Sequence, residues 1–228
     1  MSMMQQLAFA FSAVPAYARD DFFVSGANRE AYDWVHAWPN WPGHSLLLTG
    51  PAGSGKSHLA ALWRTQARAE AIAPERIGHA PSELLMPGLA AHVDGIESAD
   101  EAGLFHLLNY AAGAHKYLLL TARSTAAFTT PDLVSRLSAL PRAQLLAPDD
   151  TLMSAVLAKQ FADRQLSLSP AVLTFLAARM ERSFAGAQRL AAALDEAAFA
   201  RGRAITLPLA REVLERLHKS DEAHARHS

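Results

Sequence analysis

Short apolar runs alternate with stretches in which apolar residues recur every three or four positions, and this alternation organises the chain as far as residue 148. Ser45 to Thr49 is an apolar run bounded by turn residues and predicts a buried strand. Tyr117 to Thr121 is the clearest strand after it. Leu89 to Val93, Ala143 to Leu146 and the short run Arg76 to Ala80 predict three more. Helical spacing fills the intervals. Ala31, Trp34 and Val35 mark a helix starting around Asn28. Leu59, Leu62 and Trp63 point inward from a helix starting near Lys56, and Leu104, Leu107 and Leu108 share one face of Glu101 to Ala112. Leu133 to Leu140 predicts a short helix. Pro39, Pro42 and Gly43 break the chain ahead of the first strand. Strands alternating with helices imply an α/β fold with a parallel sheet covered on both faces.

From Asp149 the strand signals stop. Thr151 to Asp163 predicts a helix, and Ser169-Pro170 opens a second, with serine capping the exposed amides and proline suiting the first turn. A third runs from about Ser183 to Arg201, with Leu190, Leu194 and Ala198 on one side, and Gly202 ends it. A last helix begins near Thr206 and buries Leu209, Val213, Leu214 and Leu217. The organisation expected is an extended tail over 1–21, an α/β body over 22–148, a small helical lid over 149–220 and a polar tail over 221–228.

The totals narrow the chemistry. The chain has 228 residues, half of them hydrophobic, and a net charge of −1, which gives no broad electrostatic drive toward nucleic acid or anionic membrane. With no cysteine, disulfides and thiolate metal sites are excluded. Ten histidines are scattered without a ligand pair, and His106 and His115 read as surface or satisfied core residues. The N-terminus does not read as a signal peptide and no apolar run reaches spanning length, so a cytoplasmic protein without membrane association is expected.

Gly50-Pro51-Ala52-Gly53-Ser54-Gly55-Lys56-Ser57 matches Gly-x-x-x-x-Gly-Lys-[Ser/Thr] between a predicted strand and a predicted helix. The glycines let backbone amides turn inward around a phosphate, and the helix aims its unpaired amides at the same anion. Lys56 can balance charge on the β- and γ-phosphates, and the Ser57 hydroxyl can hold Mg²⁺. A nucleotide-binding site is therefore expected here.

Asp94 ends an apolar stretch, where a Mg²⁺-organising aspartate belongs. Gly95 stands where many hydrolysing relatives place a second acid to orient water, and Glu97 is out of register, so slow intrinsic hydrolysis is expected. Arg136, in Pro131-Asp132-Leu133-Val134-Ser135-Arg136-Leu137, and Arg182, ahead of the third lid helix, are candidates to neutralise charge on a γ-phosphate with a forked guanidinium.

These motifs, in this order, resemble the AAA+ module of the DnaA/Hda family of bacterial replication proteins, and most of all its short regulatory homologues. Asp21-Phe22-Phe23-Val24-Ser25-Gly26-Ala27-Asn28 resembles the segment that lines the adenine pocket. Leu118-Leu119-Leu120-Thr121 resembles the sensor 1 strand, Ser135-Arg136-Leu137 the arginine-finger segment, and Arg182-Ser183-Phe184-Ala185-Gly186-Ala187 the start of the sensor 2 helix. Arg203-Ala204-Ile205-Thr206-Leu207-Pro208-Leu209 is similar to the segment before the family's last helix, and Gln6-Leu7-Ala8-Phe9-Ala10-Phe11 to the peptide that docks on the DNA polymerase sliding clamp. An extended tail offering Leu7, Phe9 and Phe11 to an apolar groove, with Gln6 supplying amide hydrogen bonds, is physically reasonable.

The resemblance implies ADP or ATP with Mg²⁺ as ligands, bound by Phe23, Val24, the phosphate loop from Gly50 to Ser57, His58, Asp94, Thr121 and Arg182. It implies DnaA and the clamp (beta subunit) as partners, with Arg136 acting in trans on DnaA-bound ATP to inactivate the initiator. The helix-turn-helix domain of DnaA is missing after the lid, so no sequence-specific DNA binding is expected; a homo-oligomer stays open. Ala122-Arg123 departs from the small residue and aspartate common after the sensor threonine, and with Gly95 this puts autonomous hydrolysis in question. Three rivals stand beside this reading: a helicase-loader ATPase of the DnaC type, a non-catalytic module holding nucleotide for structural support, and a paralogue that recruits another protein to DnaA.

Overall fold

The computed structural model describes residues 22–78, 80–85, 88–202 and 204–225. The clamp-like peptide with Gln6, Leu7, Phe9 and Phe11, together with Arg203, lies outside the described residues.

Five strands, β1 (Ser45–Thr49), β2 (Glu70–Ile72), β3 (Ala90–Val93), β4 (Tyr117–Ala122) and β5 (Arg142–Gln144), form one sheet in the order β2-β3-β4-β1-β5. All four pairings are parallel, and β1 sits between β4 and β5, with Leu48 opposite both Thr121 and Ala143. The run from Leu46 to Leu48 is apolar throughout because both faces of the sheet are covered. Leu47, Leu118 and Leu120 enter one core layer, with Leu104, Leu107 and Leu108. Leu46, Leu48 and Leu119 enter the opposite one, with Val35, Leu59 and Trp63. Alternation along each strand thus feeds two cores from one apolar run.

Helices α1 (Arg29–His36), α2 (Lys56–Ala67), α3 (Pro81–Leu85), α4 (Glu101–Gly113) and α5 (Pro131–Ser138) flank the sheet. Trp41 stacks on Trp63 with ring centroids 5.1 Å apart, Trp38 meets Trp63 edge-on at 6.5 Å, and Trp34 packs against the same core. The Trp41 indole N–H donates to the Trp34 carbonyl at 2.7 Å, so these residues form one aromatic cluster beneath α2.

The strand expected over Arg76 to Ala80 is not there. The pairing strand lies upstream at Glu70–Ile72, Pro74–Arg76 is a 3₁₀ turn, and Ile77 makes only an isolated bridge. The physical reason is that β2 is an edge strand with Glu70 and Ala71 exposed, so it carries no apolar run, while Ile77 is apolar because its side chain fills the core beside Ile72. Helix α3 gives no sequence signal of its own.

The helical end comprises α6 (Asp150–Asp163), α7 (Pro170–Ala177), α8 (Phe184–Arg201) and α9 (Leu207–Ala225). Three of these start on a side-chain cap: Asp149 accepts from the Leu152 amide at 2.7 Å, Ser169 from Val172 at 3.4 Å and Ser183 from Gly186 at 2.9 Å. Gly202 closes α8 in the left-handed region, at φ 56°. Leu157, Phe161, Leu176, Leu190, Leu194 and Val213 form a core separate from those of the sheet, and Phe23 from the body packs against it.

Candidate functional site

The phosphate-loop motif leaves the C-terminal end of β1 and enters α2. Its glycines take backbone shapes that other residues resist: φ is 154° at Gly50, 70° at Gly53 and 97° at Gly55. Space matters as much as φ at Gly53, where an added Cβ would lie 2.4 Å from the Ser183 Cβ of the lid. The lid therefore sits directly on the loop. Phe184 lies beside Gly55, and His58, in the first turn of α2, lies between Phe184 and Phe22, with centroids 6.3 and 5.4 Å away.

Lys56 is buried at 9 % exposure and donates to the Gly50 and Pro51 carbonyls at 2.8 Å each, so its ammonium is held over the loop. Burial lowers its pKa from the usual lysine value, against the opposing pull of Glu97 and Asp94. Ser54 Oγ is buried in the same loop and has no hydrogen-bond partner in the described structure. A buried polar group calls for a partner, and an anion seated in the loop would supply one.

The strand ends bring the other groups to this loop. Asp94 follows β3 and Thr121 lies near the end of β4. Ser57 donates to Asp94 Oδ2 at 2.8 Å, Thr121 donates to Asp94 Oδ1, and the Gly95 amide donates to Thr121 Oγ1 at 2.9 Å. Residues 37 and 27 positions distant in sequence thus meet on one carboxylate. Burial alone would raise the Asp94 pKa, but the hydrogen bonds from Thr121 and Ser57 outweigh it and hold the group below the ordinary aspartate range. The hydrogen bonds therefore favour the ionised form of Asp94. A cavity of about 740 Å³ opens above these residues at the carboxyl ends of the strands, lined also by Ala52, Glu97 and Arg123.

Glu97 enters this cavity by a route that spacing did not suggest. Gly95 is left-handed at φ 70° and a 3₁₀ turn, Ile96–Ser98, folds the chain back. Glu97 Oε1 then accepts from the Arg123 amide and, at 3.3 Å, from that of Ser124. His92 was also missed. It is 5 % exposed in β3, two residues before Asp94 and so on the same side of the strand, and its Nε2 has no partner in the described structure. Its signal in the sequence was a histidine interrupting the apolar strand.

Burial pushes the His92 imidazole down to about 4, although Asp94 raises it. An unfolded histidine titrates near 6.5, so between those values the unfolded chain binds the extra proton and the folded one does not. Stability is then full above pH 6.5 and falls as pH drops toward 4, by about 3 kcal/mol in all. His92→Leu is expected to remove that part of the acid dependence in urea denaturation run from pH 7.5 to 4.5. An unchanged slope would refute it.

Two candidate arginines lie elsewhere. Arg136, in the last turn of α5, donates to Asn109 Oδ1 on α4 and lines a separate groove with Pro42, Gly43 and Leu108. Arg182 donates to Asp150 Oδ1 at 2.5 Å and is exposed, outside the cavity. Phe23 and Val24 are half-buried on the segment fixed by Asn28, which donates to the Phe23 carbonyl at 2.8 Å. Among the described residues no cluster of three or more metal-ligating side chains occurs, and no helix is long and apolar enough to cross a membrane.

Residues 149–214 match the family model of the Hda lid domain. No curated protein matches the chain. Among solved structures, domain III of the Thermotoga maritima replication initiation protein DnaA is 19% identical, with a TM-score of 0.75, covering 86% of this chain and 94% of that one. A replication initiator DnaA bound to AMPPCP and single-stranded DNA is 18% identical, with a TM-score of 0.63 over 90% and 69% of the two chains. The Thermotoga maritima RuvB Holliday junction branch migration motor is 16% identical at a TM-score of 0.65, and this chain covers 76% of itself and 62% of that protein. The fold is that of a P-loop AAA+ module followed by a helical lid.

Proposed function

We propose that this chain, whose residues 149–214 match the Hda lid domain, belongs to the DnaA/Hda family and is a regulator of replication initiation that binds adenine nucleotide and inactivates DnaA. The observation that carries this reading is the seating of the Hda-family lid on the phosphate loop, with Ser183 against Gly53. A nucleotide held in that loop lies under both parts of the protein.

ADP or ATP fits the residues present. The loop amides and Lys56 receive the β-phosphate, and the unpartnered Ser54 hydroxyl adds a donor at the loop. Ser57 and Asp94, already hydrogen-bonded to each other, would supply one hydroxyl and one carboxylate to a Mg²⁺ ion bound with the nucleotide. Phe23, Val24 and His58 lie at the junction of body and lid, where an adenine would stack. Thr121 positions Asp94. Arg182 is tied to Asp150 here, and it reaches the nucleotide only by exchanging that exposed pair, which costs little.

The N-terminal peptide docks on the sliding clamp through Gln6, Leu7, Phe9 and Phe11, and the clamp brings the chain to ATP-bound DnaA. The test is turnover of DnaA-bound ATP with clamp loaded on DNA. Adding this chain is expected to accelerate hydrolysis, and the acceleration is expected to need the clamp. Leu7→Ala with Phe9→Ala is expected to abolish clamp retention in a pull-down while leaving the thermal melt of the body unchanged. Retained binding by that double variant rejects the peptide, and unchanged DnaA turnover with the parent chain rejects the function.

A further inference from the structure

Gly95 leaves the position directly after Asp94 without a side chain, which suggests from spacing that the cavity lacks a second acid. The fold restores one. An ideal Cβ built on Gly95 would lie 3.9 Å from Glu97 Oε2, so the Glu97 carboxylate stands within reach of where an acidic side chain on residue 95 would place its own. Its two oxygens have different surroundings. Oε1 is fixed by the amides of Arg123 and Ser124, whereas no hydrogen bond among the described residues engages Oε2. Glu97 lines the same cavity as Lys56, Ser57 and Asp94.

We propose that Glu97 is the water-positioning acid of this cavity and that the chain hydrolyses its own bound nucleoside triphosphate. This rests on the nucleotide site argued above and revises the expectation of a slow enzyme drawn from Gly95. A water molecule donates a hydrogen bond to Oε2 and its oxygen attacks the γ-phosphorus. The bond from that phosphorus to the bridging oxygen breaks, with its electron pair going to the nucleoside diphosphate. The water's proton passes through Oε2 to solvent, and orthophosphate and diphosphate leave. The hydrogen bonds to Oε1 orient the carboxylate so that Oε2 faces the cavity side of the loop as the acceptor. The influence of Glu97 on Lys56, larger than that of Asp94, agrees with its place in the site.

The experiment compares the full chain with Glu97→Gln and Glu97→Ala in two measurements: ADP affinity by calorimetry, and single-turnover ATP hydrolysis with Mg²⁺. The glutamine amide oxygen can still accept from Arg123 and Ser124, so the loop is retained. Glu97→Gln is expected to bind ADP within about threefold of the parent and to hydrolyse ATP at least about 10²-fold more slowly. If Glu97→Gln hydrolyses like the parent while Glu97→Ala is slow, the residue only braces the loop and the proposal fails. A parent that binds ADP but hydrolyses no ATP overturns the proposal and leaves the nucleotide site standing. A parent that binds no ADP overturns both.

Discussion

Arg136→Ala is expected to cut the stimulated hydrolysis of DnaA-bound ATP by about 10³-fold or more, the range a trans-acting arginine supplies in phosphoryl transfer. The placement of the side chain supports this size of effect. Arg136 does not line the cavity that holds Ser57 and Asp94, so it is not committed to the chain's own phosphates. It projects from the last turn of α5, half-buried, with its guanidinium oriented by Asn109. Orientation by a neighbour reduces the rotamer freedom lost on engaging a second molecule. The substitution leaves the fold intact, because Leu133 and Leu137 are the residues of α5 that enter the core. Arg136→Lys keeps a charge but loses the planar fork, and it is expected to remain strongly impaired. Parent-level stimulation by Arg136→Ala in the clamp-loaded assay would rule out the finger.

Lys56→Ala is expected to weaken ADP binding by about 10²-fold or more in calorimetry, because hydrogen bonds to charged groups contribute about 1.5–3 kcal/mol each. Lys56 is the one cation of the phosphate loop, and its ammonium is held over that loop by the Gly50 and Pro51 carbonyls. A methionine at the same position retains the buried stem without the charge, and so separates lost packing from lost charge. Lys56→Met is therefore expected to bind as poorly as Lys56→Ala while melting close to the parent. A methionine variant with parental affinity would refute the assignment.

Much of this arrangement was legible in the chain itself, and the exceptions share a cause. β1 and β4 read clearly because both faces of a central parallel strand are buried, which leaves an uninterrupted apolar run. β2 did not, because an edge strand with Glu70 and Ala71 exposed shows no such run. The phosphate loop was readable because its chemistry is local, with eight consecutive residues performing one task. Glu97 was not, because its place depends on a left-handed glycine and one tight turn, which convert a three-residue offset into spatial proximity. The meeting of Ser57, Asp94 and Thr121 follows from strand order, and strand order is set by long-range packing that local periodicity does not encode. Ser183 and Phe184 carry the sequence signal of a helix start; that they press on Gly53 and Gly55 emerges only when the lid is seated.

The aromatic cluster beneath α2 has a practical consequence. All four tryptophans of the chain, Trp34, Trp38, Trp41 and Trp63, lie within the body, and the lid has none. Indole emission is therefore a private reporter of the sheet-bearing half, while far-ultraviolet circular dichroism sums over both. Reading the two signals on one sample separates melting of the lid from melting of the body, with no label added.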